Sequence, residues 1–210
     1  GINRMTVTVW DLVLYAGALL VLFLTPGPVW VALIARGLSG GFHSAWPLAL
    51  GVVIGDVMWS VLAILGISWI LSVYGGFLEA LRWVASAMFL IMGVMLIRHS
   101  DKSISQDNRL TRPGMVAGFL AGLAVILGNP KAILFYMGML PGFFDLSTLR
   151  TPDILAIAGL SAIVPLFGNL VMGLSIHKIR GIMASRGAMK RMNVTAGILM
   201  LGVAMAIPFF

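Results

Sequence analysis

The chain has 210 residues, of which 60% are hydrophobic and only 10% are charged, against roughly 25% charged in ordinary globular chains. Those proportions give about 126 apolar side chains, more than a soluble domain of this length can hide. At roughly 20 apolar residues per membrane-spanning helix they supply about six spans, so a water-soluble domain and a disordered chain are both excluded. The absence of cysteine removes disulfides, thiolate metal sites and Cys nucleophiles.

In chain order, stretches free of Asp, Glu, Lys and Arg run over 12–35, 37–55, 57–78, 83–97, 113–130, 132–144, 154–177 and 192–210. Asp56 and Lys131 each cut a longer apolar region, and rejoining the pieces across them yields six spans, near 9–36, 43–72, 77–98, 112–140, 153–176 and 187–208. The first stretch lacks the short apolar core and cleavage site of a signal peptide and is read as a permanent span. The expected fold is an all-α membrane protein of six transmembrane helices. It divides into a three-helix unit over 1–98, a linker over 99–111 and a second three-helix unit over 112–210.

With six spans, the loops near 37–43, 98–112 and 177–191 share one side of the bilayer. They carry Arg36, Arg98, Lys102, Arg109, Arg112, Lys178, Arg180, Arg186, Lys190 and Arg191, whereas the other side has Arg4, Arg82 and Arg150. The positive-inside bias puts the rich loops in the cytoplasm and both termini on the periplasmic side. The same asymmetry explains the net charge of +7 as loop charge, with no call for nucleic acid. Trp10, Trp46, Trp69 and Trp83 fall near span ends, where an indole suits the headgroup zone. Trp30 and Trp59 do not, and serve either helix packing or the wall of a transport site.

A shift of 104 residues lays Thr25-Pro26-Gly27-Pro28 over Asn129-Pro130-Lys131-Ala132, and a shift of 109 lays Gly93-Val94 over Gly202-Val203. Each half holds an odd number of spans, so the second half is expected to enter the membrane upside down, as two inverted three-helix repeats. Proline removes a backbone donor and clashes with the preceding turn, so Pro26 and Pro28 are expected to break helix 1 and Pro130 to break helix 4. Hydrocarbon does not tolerate the freed backbone groups, so the breaks must face protein or a water-filled cavity. Their half-helix N-termini suit a carboxylate.

Thr25-Pro26-Gly27-Pro28, Ala35-Arg36-Gly37 with Gly41, Ala49-Leu50-Gly51 through Gly55-Asp56, and Asn129-Pro130-Lys131-Ala132 with Leu134-Phe135 and Leu140-Pro141 before Phe143 together resemble the lysine exporter (LysE/RhtB) family of amino-acid exporters. The resemblance runs in order over nearly the whole chain. It implies a bacterial inner-membrane efflux protein for amino acids or their derivatives, driven by proton exchange and assembled as a homo-oligomer. Val29-Trp30 stand directly after the first break, where family members often carry a polar residue, and this disfavours a very polar substrate.

A carboxylate within a span costs roughly 2.5–3.5 kcal/mol on the insertion scale, so Asp56 is expected to couple transport to a proton or to receive a substrate ammonium. An ion pair with Lys131 or Arg82 is the structural alternative. Pro26, Gly27, Pro28, Asn129, Pro130, Lys131 and Asn169 are the expected substrate-binding residues. Lys131 would meet a substrate carboxylate or balance Asp56, and Asn169 would offer a ligand contact or an interhelical hydrogen bond. Gly37 with Gly41, Gly51 with Gly55 and Gly118 with Gly122 read as helix-packing faces. His43, His99 and His177 are too scattered for a metal site, and no cofactor is implied. A cation or metal exporter would want several inward carboxylates, and a membrane-embedded enzyme would need a nucleophile, a metal cluster or paired acids in the spans.

Overall fold

The computed structural model describes residues 5–25, 27–74, 76–98, 113–176, 178–179, 181 and 185–206. Pro26, the linker 99–111, Arg4, Arg112, His177, Arg180 and the Arg82 side chain lie outside the described residues. The described residues form helices and no strand: α1 (Val9–Leu24), α2 (Pro28–Val73), α3 (Phe77–Arg98), α4 (Met115–Leu127), α5 (Pro130–Phe143, with a π-helical turn at Phe135–Met139), α6 (Thr151–Leu174) and α7 (Arg186–Ala206). Among them, Pro28–Ile67 and Thr151–Leu174 are long and apolar enough to cross a membrane, and α4 with α5, bent by 52° at their junction, forms a third such unit. Val9–Leu24 is a shorter apolar helix.

Two sequence features start α1. Thr8 accepts from the Asp11 amide at 3.1 Å while Asp11 reaches back to the Thr8 amide at 3.3 Å, a reciprocal capping box. α2 is helical on both sides of Gly41 but not at it, where φ is 71° and ψ is −166°. That backbone region is essentially reserved for glycine. Trp30 and Asp56 line the same cavity, whereas a straight helix would hold them about 39 Å apart. The break at Gly41 therefore folds α2 into a hairpin. Gly41 was expected to form a packing face with Gly37, and this is corrected. Gly37 does press on Ile176, but an added Cβ at Gly41 would meet nothing within 4 Å, because its hydrogen is used for backbone conformation and not for close approach.

Among the described residues, α2 packs on both α4 and α6, and three helix pairs show their relative directions in named contacts. The second arm of α2 runs parallel to α4 at the closest possible separation: a Cβ added at Gly51 would lie 2.1 Å from the Phe119 carbonyl oxygen, and one at Gly122 would lie 2.1 Å from that of Leu48. α1 runs parallel to α6, with Thr6 at Asp153, Tyr15 at Ser161 and Phe23 on Gly168. α3 runs antiparallel to α7, with Ser86 donating to the Ala204 carbonyl and Gly93 packed on Gly197. Apolar side chains such as Val9, Trp10, Trp69, Val116, Phe167 and Met205 project outward, while Asp56, Asn129, Lys131, Asn169 and Asn193 are buried. Keeping the few polar groups inside a largely apolar core, under an apolar exterior, is the distribution a lipid solvent selects.

Arg36 was expected among the solvated loop charges, and this too is corrected. It is 1% exposed, its Nε donates to the Ser44 carbonyl at 2.6 Å and its Nη2 to the Gly114 carbonyl at 3.2 Å. The guanidinium thus ties the α2 hairpin to the start of α4 at one end of the bundle. At the other end Asp153 accepts from the Thr6 amide and hydroxyl, the Val7 amide and the Arg150 amide, binding the N-terminal segment to the start of α6.

Candidate functional site

A helix break leaves carbonyls at the end of the preceding half and amides at the start of the next, and buried backbone groups of this kind must find partners. Around the first break the carbonyls are covered from across the molecule. Lys131 Nζ donates to the Leu22 carbonyl at 3.1 Å and to the Thr25 carbonyl at 2.5 Å, and the Trp30 indole N–H donates to the Phe23 carbonyl at 2.7 Å. Placing a cation against the C-terminal end of α1 also opposes the negative pole of its dipole. The second break repeats the device: the Trp59 indole N–H donates to the Ile126 carbonyl at 3.1 Å, and Asn129 Oδ1 caps the amide of Lys131 at 3.1 Å. The two candidate roles weighed for these tryptophans are thus partly joined, since both cap broken helices and Trp30 also lines the cavity described next.

The breaks converge on one partly open cavity. Its wall is formed by Leu19, Leu22, Phe23, Val29, Trp30, Val52, Asp56, Ile126, Asn129, Lys131, Ala132, Pro165 and Asn169. An apolar wall with a few polar groups is the usual composition of a small-molecule site. Of the expected binding residues, Asn129, Lys131 and Asn169 come together here with the expected coupling residue Asp56, drawn from the α4–α5 junction, α6 and α2. Gly27 lies against the same ammonium: a Cβ added to it would sit 3.3 Å from Lys131 Nζ. Pro28 and Pro130 are exposed and stand outside the cavity wall, so their contribution is to fix the start of α2 and α5.

Asp56 is 4% exposed, and the hydrogen bond described for it comes from Tyr136 and not from Lys131, while the Arg82 side chain lies outside the described residues. Oδ1 accepts from the Tyr136 hydroxyl at 2.8 Å. Tyr136 sits on the π-helical turn of α5, where the altered register aims its ring across to α2, and such turns recur at functional sites. Behind it the Tyr15 hydroxyl and Ser161 Oγ are 2.7 Å apart, and Ser161 Oγ donates to the Ile157 carbonyl at 2.8 Å. Nothing in the local pattern singles out Tyr136, because its partner lies 80 residues away. Asn169 is 1% exposed, and its Oδ1 is buried with no hydrogen-bond partner among the described residues.

Comparison with known proteins decides what kind of molecule this is. The family model of the LysE type translocator matches residues 20–208. The chain belongs to that family. Among its relatives, an uncharacterized membrane protein of Synechocystis sp. is 30% identical over 187 residues, covering 89% of this chain and 90% of the relative. The chemotactic transduction protein ChpE of Pseudomonas aeruginosa is 29% identical over 64% of this chain and 67% of its own length. A leucine efflux protein of Klebsiella pneumoniae is 28% identical over 63% of this chain and 62% of its own length. No solved structure matches the chain. The match makes this chain a membrane protein of the LysE type translocator family.

Proposed function

We propose that this LysE-type translocator exports an amino acid or amino-acid derivative across the bacterial inner membrane by proton antiport. The observation that carries the reading is the meeting of both helix breaks at one cavity that holds an acid, a base and two amides. The break at Thr25–Pro28 and the one at Asn129–Lys131 cradle the substrate carboxylate, with the amides at the starts of α2 and α5 and the remaining N–H of Lys131 as donors. Asp56 receives the proton that returns, and Tyr136 holds its carboxyl in place.

The architecture that serves this cycle is six spans in two inverted repeats, 1–98 and 112–210. α1 with the first arm of α2 makes span 1, and the second arm makes span 2. α4 with α5 makes span 4, and α3, α6 and α7 are spans 3, 5 and 6. Packing directions support it. Spans 1 and 5 are parallel, spans 2 and 4 are parallel, and spans 3 and 6 are antiparallel, as alternation across a bilayer requires. Exchanging the two halves turns the 1–5 pair into the 4–2 pair and the 3–6 pair into itself. Rocking one repeat against the other around a fixed site then gives alternating access, with both termini periplasmic and the basic loops cytoplasmic.

The test is transport in proteoliposomes. Asp56→Asn is expected to lose accumulation driven by a pH gradient, with a flattened pH dependence. A folded Asp56→Asn protein with unchanged gradient-driven rate and pH profile would refute the coupling role.

A further inference from the structure

The cavity carries a second, quieter symmetry. A shift of 113 residues lays Gly55-Asp56 over Gly168-Asn169 and Val52 over Pro165. The packing agrees with the shift. A Cβ added at Gly55 would lie 2.0 Å from Ile126 Cγ2, in the last turn before the second break, and one added at Gly168 would lie 2.8 Å from the Phe23 ring, in the last turn before the first. Asp56 and Asn169 therefore occupy equivalent positions, each following the glycine on which the opposite broken helix rests, and both line the cavity. One is a carboxyl and the other its neutral isostere.

We infer that Asn169 is the neutral counterpart of Asp56 and thereby sets the substrate as an amino acid with a single ammonium and an apolar side chain. This rests on the reading of the site as an amino-acid exporter. Asp56 and Lys131 bring one charge of each sign to the cavity, which matches the two charges of an amino-acid zwitterion. A third charge on the substrate would enter a wall of Leu19, Phe23, Val52 and Ile126 with no counter-ion. The buried, unpartnered Oδ1 of Asn169 needs an N–H donor, and the α-ammonium supplies one without a second negative charge in the protein. With a carboxylate at both equivalent positions, the same cavity would suit a molecule carrying two ammonium groups.

The experiment is counterflow by the full chain in proteoliposomes, with labelled L-leucine competed by L-lysine and by 4-methylpentanoate, which lacks the amino group. In the parent protein L-lysine and 4-methylpentanoate are expected to compete at least about tenfold more weakly than L-leucine, as loss of a hydrogen-bonding group or an unpaired charge requires. In Asn169→Asp the ratio of L-lysine to L-leucine competition is expected to rise at least about tenfold. Equal competition by L-lysine or 4-methylpentanoate in the parent overturns the inference, as does an unchanged ratio in a monodisperse Asn169→Asp protein. If that variant does not fold, the parent comparison decides alone. Failure of the parent to exchange any amino acid would instead remove the exporter reading itself.

Discussion

Tyr136 is the residue on which the candidate coupling site turns. Its hydroxyl donates to Asp56 from the far side of a 0%-exposed ring, so Tyr136→Phe removes one hydrogen bond and leaves the packing in place. A hydrogen bond to a charged group contributes about 1.5–3 kcal/mol. Tyr136→Phe is therefore expected to cut gradient-driven accumulation roughly tenfold or more while exchange without a gradient persists, a split that parallel assays on the same vesicles read directly. Trp59→Phe tests the cap on the second break. It leaves the Ile126 carbonyl without its indole donor, and the expected loss is about 1–3 kcal/mol of stability, measured by thermal unfolding in detergent. Asp56, Asn129, Lys131 and Asn169 are legible in the sequence because polar groups in apolar spans are conspicuous. Tyr136, and the hydrogen bonds of Trp30 and Trp59, are not, since a tyrosine or tryptophan in such a span reads equally well as packing until its partner is known.

At the scale of elements, the proline motifs announce the breaks correctly because proline's effect is local, but the glycines do not announce which of two uses they serve. Gly51 and Gly122 let two backbones touch, and Gly41 lets one backbone turn. The difference sits in φ and in tertiary neighbours, neither of which the spacing of glycines encodes. Each use has its own consequence. Gly51→Val drives a side chain into the Phe119 carbonyl and is expected to cost at least about 3 kcal/mol, separating α2 from α4. Gly41→Ala meets no steric obstacle but strains the backbone, with an expected cost of about 1–3 kcal/mol. Thermal unfolding of the two variants ranks them, and a Gly41→Ala protein as stable as the parent would refute the assignment of Gly41 as the hairpin's turn. Arg36 shows the opposite error of sequence reading: a charge at a span end was assigned to the loop, whereas two carbonyls and the packed start of α4 hold it inside.

At the scale of the whole molecule, composition alone identifies a membrane protein, and family membership follows from a match over residues 20–208. The proposed mechanism adds that two broken helices from opposite halves make one substrate site. The chain contains no cysteine, so a single introduced thiol reports on that site without background. Val29 lines the cavity directly after the first break, and Val29→Cys nearly preserves its size. The deciding measurement is the rate at which a small thiosulfonate reagent modifies Val29→Cys in proteoliposomes, with and without L-leucine. Saturable protection by L-leucine, absent for a cysteine placed at the outward-facing Phe167, is the expected result. Modification of Val29→Cys at the same rate whatever the L-leucine concentration, in a variant that still exchanges L-leucine, would contradict the placement of the substrate between the two breaks.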